Sequence, residues 1–337
     1  MGNDLQGSKD LKTQESVTTS KTVRRRPLMV IIAIGLCLVA APAVFQMFSR
    51  APEGAIMIDE FRPFMTEEQV VLFNGYMSDI GAADAESRTI LEPAIVNSGA
   101  LDAADYETQF SLLATLNNSW PAIDADMTDL LDTMSGNIDN FAAVDALPSF
   151  NLFPWFFVIP GLLTVAIGLA ALRVGRTRPP SRLIVVLGTL GVAIALAPVV
   201  FQMFTRAPSG GDMIDDFRPM MVRERVQDVQ GYFITMGGAE SQLRTAVLPL
   251  AEEQAQLGAD AFPAITQFSD QWQSIVGDFA PMVAAMSDNV DNYEAVASLP
   301  PFALFPWFFV LPGALIAALA FRARQPIQTI ETETSGD

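Results

Sequence analysis

The sequence predicts an all-α membrane protein of two tandem, parallel repeats, each a transmembrane helix, an outward helical bundle and a second transmembrane helix. Three observations carry this: four charge-free apolar runs, an internal duplication, and a segregation of charge along the chain.

The apolar runs are 28–48, 152–172, 183–204 and 304–321. A helix needs about 20 apolar residues to cross the hydrocarbon core, and backbone in lipid must satisfy its own hydrogen bonds, which selects helix for such runs. The first run follows Arg24, Arg25 and Arg26 and contains Ala41-Pro42-Ala43, the pattern of a cleaved secretory signal. The third run, which is internal, carries nearly the same text at Ala197-Pro198-Val199, so the motif reads as part of a repeated helix.

That text belongs to a duplication. Residues 41–65 lie over 197–221 at an offset of 156, and the register holds through Gly75-Tyr76 over Gly231-Tyr232 and Arg88-Thr89 over Arg244-Thr245. Beyond a short length difference the offset is 152. Trp120 then matches Trp272, Met134-Ser135 with Asn137, Asp139 and Asn140 matches Met286-Ser287 with Asn289, Asp291 and Asn292, and 147–161 matches 299–313. Each unit holds two spans, so both copies enter and leave on the same side and the repeats are parallel. The expected organisation is a disordered tail, 1–27; a first repeat, 28–172, with its domain at 49–151; a loop, 173–182; a second repeat, 183–321, with its domain at 205–303; and a tail, 322–337.

Charge orients the spans. Residues 49–151 hold three basic against eighteen acidic residues and 205–303 five against fourteen, whereas the tails and the middle loop are net basic. Lys and Arg of short loops favour the cytoplasmic side, which predicts a multi-pass plasma-membrane protein with both termini cytoplasmic and two large extracytoplasmic loops. Three lysines against seventeen arginines in an alanine-rich chain suggest a bacterium with GC-rich DNA.

Within the domains, Thr66 followed by Gln69 is a capping-box pattern with Glu67 and Glu68 in the first turn. Val70, Phe73, Met77 and Ile80 recur behind it at helical spacing. Gly81 and Gly237-Gly238 read as helix stops, with further helices over 84–95, 103–117 and 122–143. Trp120 and Trp272 read as core anchors. Trp155 and Trp307 open their spans, where aromatic belts form, and with Arg50 and Arg206 read as membrane-interface anchors. Gly188 with Gly191, Ala193 with Ala197, and Gly313 with Ala317 supply small faces for close packing of the spans.

Candidate sites are few. The sequence has no histidine, which removes His-based triads, zinc ligation and pH switching, and its one cysteine, Cys37, lies inside the first span. All three basic residues of the first domain recur in the second: Arg50 as Arg206, Arg62 as Arg218 and Arg88 as Arg244; the acids Asp59 and Glu60 recur as Asp215 and Asp216. Scarce arginines kept in two acidic domains read first as ion pairs, with Asp59-Glu60-Phe61-Arg62-Pro63 a salt-bridged turn, and second as a carboxylate-binding set. Asp124, Asp126, Asp129 and Asp132 cluster, yet without the glycine and terminal glutamate of an EF-hand they read as a solvated helix face. Charge-free spans argue against ion-coupled transport, and an acidic surface against nucleic-acid binding. No cofactor or metal is expected.

The expected function is therefore non-enzymatic: an envelope scaffold or accessory subunit binding an exported or membrane partner through its paired acidic domains. The order span, helical domain, span is similar in outline to bacterial chemoreceptor input modules, which implies a sensor as the alternative; a transporter or lipid-handling protein is the third reading. Membrane lipids, an envelope protein and a second copy of the chain are the expected partners.

Overall fold

A computed structural model describes residues 25–175 and 181–324, all of whose regular structure is helical. The tail expected to be disordered, 1–27, lies outside the described residues except for its last three, as do 176–180 and 325–337.

Among the described residues, four helical stretches are long and apolar enough to cross a membrane: Arg25–Val44, Phe150–Val174, Ser181–Val200 and Phe302–Arg324. Their helices are α1 (Arg25–Val44), α8 (Phe153–Val174), α9 (Ser181–Val200) and α15 (Trp307–Arg324). The chain thus has the architecture of a multi-pass membrane protein. The main packing pairs are α1 with α8 and α9 with α15, and α1 also meets α15 while α8 meets α9. Glycine makes both main pairs possible. A Cβ on Gly161 would lie 2.9 Å from the Gly35 carbonyl oxygen, and one on Gly313 only 2.5 Å from the Ala195 backbone nitrogen. Between apolar helices in lipid, such close backbone approach supplies the packing that the hydrophobic effect cannot.

The first and third spans end earlier than the apolar runs 28–48 and 183–204 predict. Gln46 and Gln202 both take a left-handed backbone (φ 53°), so α1 stops at Val44, α9 stops at Val200, and new helices start beyond each break. These are α2 (Met47–Phe61) and α10 (Met203–Phe217). An apolar run records hydropathy and not backbone direction, so the corner is invisible in it.

The first connecting region continues with α3 (Glu67–Glu86), α4 (Glu92–Asn97), α5 (Ala103–Gln109), α6 (Ser111–Gly136) and α7 (Ile138–Asp145). The second has α11 (Arg223–Gln242), α12 (Leu248–Leu250), α13 (Pro263–Asp288) and α14 (Val290–Ala297). Thr66 caps α3 as its sequence predicts, accepting from the Gln69 backbone N–H at 3.2 Å.

Gly81 and Gly237 do not stop their helices. A Cβ on Gly81 would sit 3.2 Å from Trp120 Cζ2, and one on Gly237 2.9 Å from Trp272 Cζ2, so both make room for an indole. The helices run on through π turns, Ser87–Leu91 and Leu243–Val247. Nor is there a break between 117 and 122, because α6 runs through Pro121. Side-chain bonds hold the turns before it: Thr115 donates to the Ser111 carbonyl and Ser119 to the Thr115 carbonyl, each at 2.7 Å. Such bonds let a helix absorb a bend.

The two connecting regions do not form a bundle each. Helix α3 packs on α13 and α11 on α6, while α3 also meets α6 and α11 meets α13, closing a four-helix ring drawn from both. Nearer the spans, α2 packs on α14 and α10 on α7. The buried apolar side chains, Ala285 excepted, belong to one continuous core.

Candidate functional site

Where the two regions of this shared body meet, several polar contacts come in sequence-matched pairs. Next to the spans, Arg50 Nη1 donates to the Ser298 carbonyl at 3.3 Å, and Arg206 Nη1 to the Ala146 carbonyl at 2.8 Å. Both acceptors lie in the opposite region. Trp155 and Trp307 stand half-exposed at the span starts, edge-on to Phe48 and Phe204, both at 5.7 Å.

Asn137 ends α6 and Asn289 ends α13, and both are almost fully buried. Asn137 Nδ2 donates to Asp216 at 3.0 Å, and Asn289 Nδ2 donates to Glu60. Each also donates to the carbonyl four residues back and accepts from the asparagine three residues on, Asn140 or Asn292. A buried amide left unpaired costs about 1–3 kcal/mol; here every polar atom of both side chains is used. The backbone carbonyls of Asn137 and Asn289 accept the first hydrogen bonds of α7 and α14, from Phe141 and Tyr293 at 2.8 Å.

Between these tiers lies an apolar cavity of about 40 Å³. Its lining comprises five matched pairs: Met57 and Met213, Ile58 and Ile214, Phe61 and Phe217, Met65 and Met221, Phe141 and Tyr293. The Tyr293 hydroxyl donates to the Ile214 carbonyl.

Farther along α3 and α11, the Tyr76 hydroxyl donates to Asp278 at 2.7 Å and that of Tyr232 to Asp126. Arg225 adds an ion pair to Asp126. Its hydrogen bond, joined by that of Tyr232 and opposed by burial, holds the Asp126 carboxyl below the usual range. Burial, then the carboxylate partner, pushes both tyrosines up to about 12. At the end of the same helices, Glu86 accepts the Ile265 backbone N–H at 2.8 Å and Gln242 accepts that of Leu113 at 2.9 Å. Each thus satisfies an N–H near the start of a helix from the other region.

The four other arginines singled out in the sequence are engaged with carboxylates of their own region. Arg62 pairs with Asp59 at 2.8 Å and grips Asp145 with two nitrogens, at 2.6 and 3.2 Å. Arg218 has Asp215 at 2.6 Å, and the position matching Asp145 is Ala297, so its second grip is absent. Arg88 pairs with buried Asp84, and Arg244 Nε with buried Glu240 at 2.9 Å. Asp59 and Asp215 therefore serve these ion pairs, while Glu60 and Asp216 serve the asparagines. The tyrosines, Asp145, Glu86 and Gln242 were not among the residues singled out. Most were already aligned in the sequence match, but their partners lie about 80–200 positions away. The sequence matches no family model and no curated protein.

Proposed function

We propose that the chain is a duplicated, non-enzymatic envelope scaffold or accessory subunit. Its two halves clasp one another and present a single acidic helical body to an exported or membrane partner. The observation that carries this is the paired set of contacts: Tyr76–Asp278 with Tyr232–Asp126, and Asn137–Asp216 with Asn289–Glu60. Such pairing follows from a parallel duplication with an axis along the bundle. It also commits the buried polar side chains of the interface to structure, which suits a rigid platform better than a reactive centre. The charge balance supports a body outside the membrane, with both termini and the middle loop in the cytoplasm.

The sensor reading has one observation in its favour, the cavity between Met57 and Met213. At about 40 Å³ it holds roughly one water-sized group, and a larger ligand would have to push the two halves apart.

Topology and partner are tested together. In a Cys37→Ser background, a membrane-impermeant thiol reagent applied to intact cells is expected to label Ser111→Cys and Gln267→Cys, both exposed on the body, and to spare Ser181→Cys. Cross-linking from the labelled positions is expected to recover one defined envelope component. Labelling at position 181 alone reverses the orientation, and recovery of no defined component removes the scaffold reading.

A further inference from the structure

We propose that the groove between α1 and α15 is a binding site for one anionic phospholipid, its acyl chain in the groove and its phosphate on Arg50. This rests on the membrane reading of the four apolar helices and on no particular protein partner.

The groove has a volume of about 420 Å³ and an almost wholly apolar wall that includes Ala33, Cys37, Leu311 and Leu315. It exists because α1 packs mainly on α8 and α15 mainly on α9, which leaves the α1–α15 seam less filled. Toward the helical body its wall includes Met47 and Pro300. Arg50 is one turn beyond Met47 on α2, and the carbonyl it touches, Ser298, is two residues before Pro300. Its guanidinium therefore stands at the body end of the groove.

Charge points to the occupant. Of the eight arginines of the helical body, Arg62, Arg88, Arg218, Arg223, Arg225 and Arg244 each have a carboxylate within ion-pair distance; among the described residues Arg50 and its match Arg206 have none, and of these two it is Arg50 whose carbonyl partner adjoins the groove wall at Pro300. This is so although acids outnumber bases eighteen to three in its own region. Nor does the charge serve its helix, because Arg50 lies in the first turn of α2, where a cation opposes the macrodipole. One of its five N–H donors goes to the Ser298 carbonyl. A phosphate diester accepts from the remaining fork in the bidentate manner guanidinium favours. An acyl chain gains little on moving from bilayer to groove, since both are apolar, so selectivity resides in the headgroup.

Cys37, the single cysteine, lines the groove and reports on its occupancy. In detergent solution, phosphatidylglycerol is expected to slow alkylation of Cys37 in the full chain by about tenfold, because phosphate and guanidinium form a charge-assisted pair. Phosphatidylcholine, whose trimethylammonium cancels the charge of its phosphate and would lie beside the guanidinium, and inorganic phosphate, which has no acyl chain to hold it in the groove, are expected to have little effect. Arg50→Ala is expected to abolish the protection. Arg206→Ala, which removes the matched arginine elsewhere on the body, is expected to leave it intact. Equal protection by both lipids, protection by inorganic phosphate alone, or protection that survives Arg50→Ala overturns the site. The comparison of lipids on the unaltered chain decides the matter even if Arg50→Ala fails to fold. Cys37 protection is read independently of labelling at positions 111 and 181, so failure of the lipid site and failure of the topology are separate results.

Discussion

The hydroxyl of Tyr76 reaches the carboxylate of Asp278 at 2.7 Å, tying α3 to α13 across 202 positions of chain. Tyr232 and Asp126 tie α11 to α6 in the same way. Ring stacking backs the first tie: Phe73 of α3 lies 4.2 Å from Phe279 of α13, centroid to centroid.

The tyrosine ties predict an alkaline weakness. Burial and Asp278 raise Tyr76 to about 12 from an ordinary 10, and Tyr232 is raised likewise. A group whose folded pKa is raised contributes stability that is complete below its unfolded value and is lost as pH climbs through the folded one. Stability is thus expected to fall between pH 10 and about 12. Tyr76→Phe is expected to cost about 1–2 kcal/mol at neutral pH, the worth of a hydrogen bond to a charged acceptor that is partly open to solvent. It should also remove part of the alkaline loss. Thermal unfolding in detergent, run near neutral pH and again above the tyrosine range, measures both. An unchanged alkaline loss in the Tyr76→Phe, Tyr232→Phe double variant would place its origin elsewhere.

Packing of the spans predicts a sharp asymmetry among glycines. At Gly313 an added Cβ meets the Ala195 nitrogen at 2.5 Å and the Gly191 oxygen at 2.6 Å, and backbone cannot turn aside. Gly313→Ala is expected to force α15 off α9 and to cost about 1–3 kcal/mol or more. Gly277, midway along α13, has nothing within 4 Å of its would-be Cβ. There alanine is expected to stabilise by about 0.5–1 kcal/mol, because it restricts the unfolded chain and favours helix. Melting temperatures of the two variants, moving in opposite directions, are the check.

The four spans were legible because hydropathy is a local property: Leu28 to Phe48 and Leu304 to Phe321 announce themselves without their neighbours. The cap at Thr66 was legible for the same reason. What failed is what depends on distant chain. Gly81 looks like a stop until Trp120 is seen lying on it, and Gln46 looks like part of a continuing span until its φ turns positive. The match of Tyr76 with Tyr232 was plain, yet nothing in either segment names Asp278 or Asp126 as partner. Arg62 shows the limit from another side. Half of its grip is Asp145, whose matched position is Ala297, so the duplication gave no hint of the pair.

Asp84 carries the opposite pH signature from Asp126. Its side chain is wholly buried at the end of α3, Arg88 engages Oδ2, and among the described residues Oδ1 has no hydrogen-bond partner. Around it, Ser87 donates to the Asp84 carbonyl at 2.9 Å and to Asn117 Oδ1 at 3.0 Å, and among the described residues Arg88 is the one cation within ion-pair distance of the carboxylate. Burial pushes the carboxyl up, against the pull of Arg88. Its contribution to stability is therefore complete below the ordinary value of 3.8 and declines as pH rises through the raised one. Asp84→Asn removes the titration. The stability of the unaltered chain minus that of the variant is expected to shrink on going from acid to neutral pH. Denaturant unfolding of both proteins across that range measures the difference. A gap that stays constant, or widens toward neutral pH, means that the Arg88 ion pair outweighs burial and that Asp84 is held ionised.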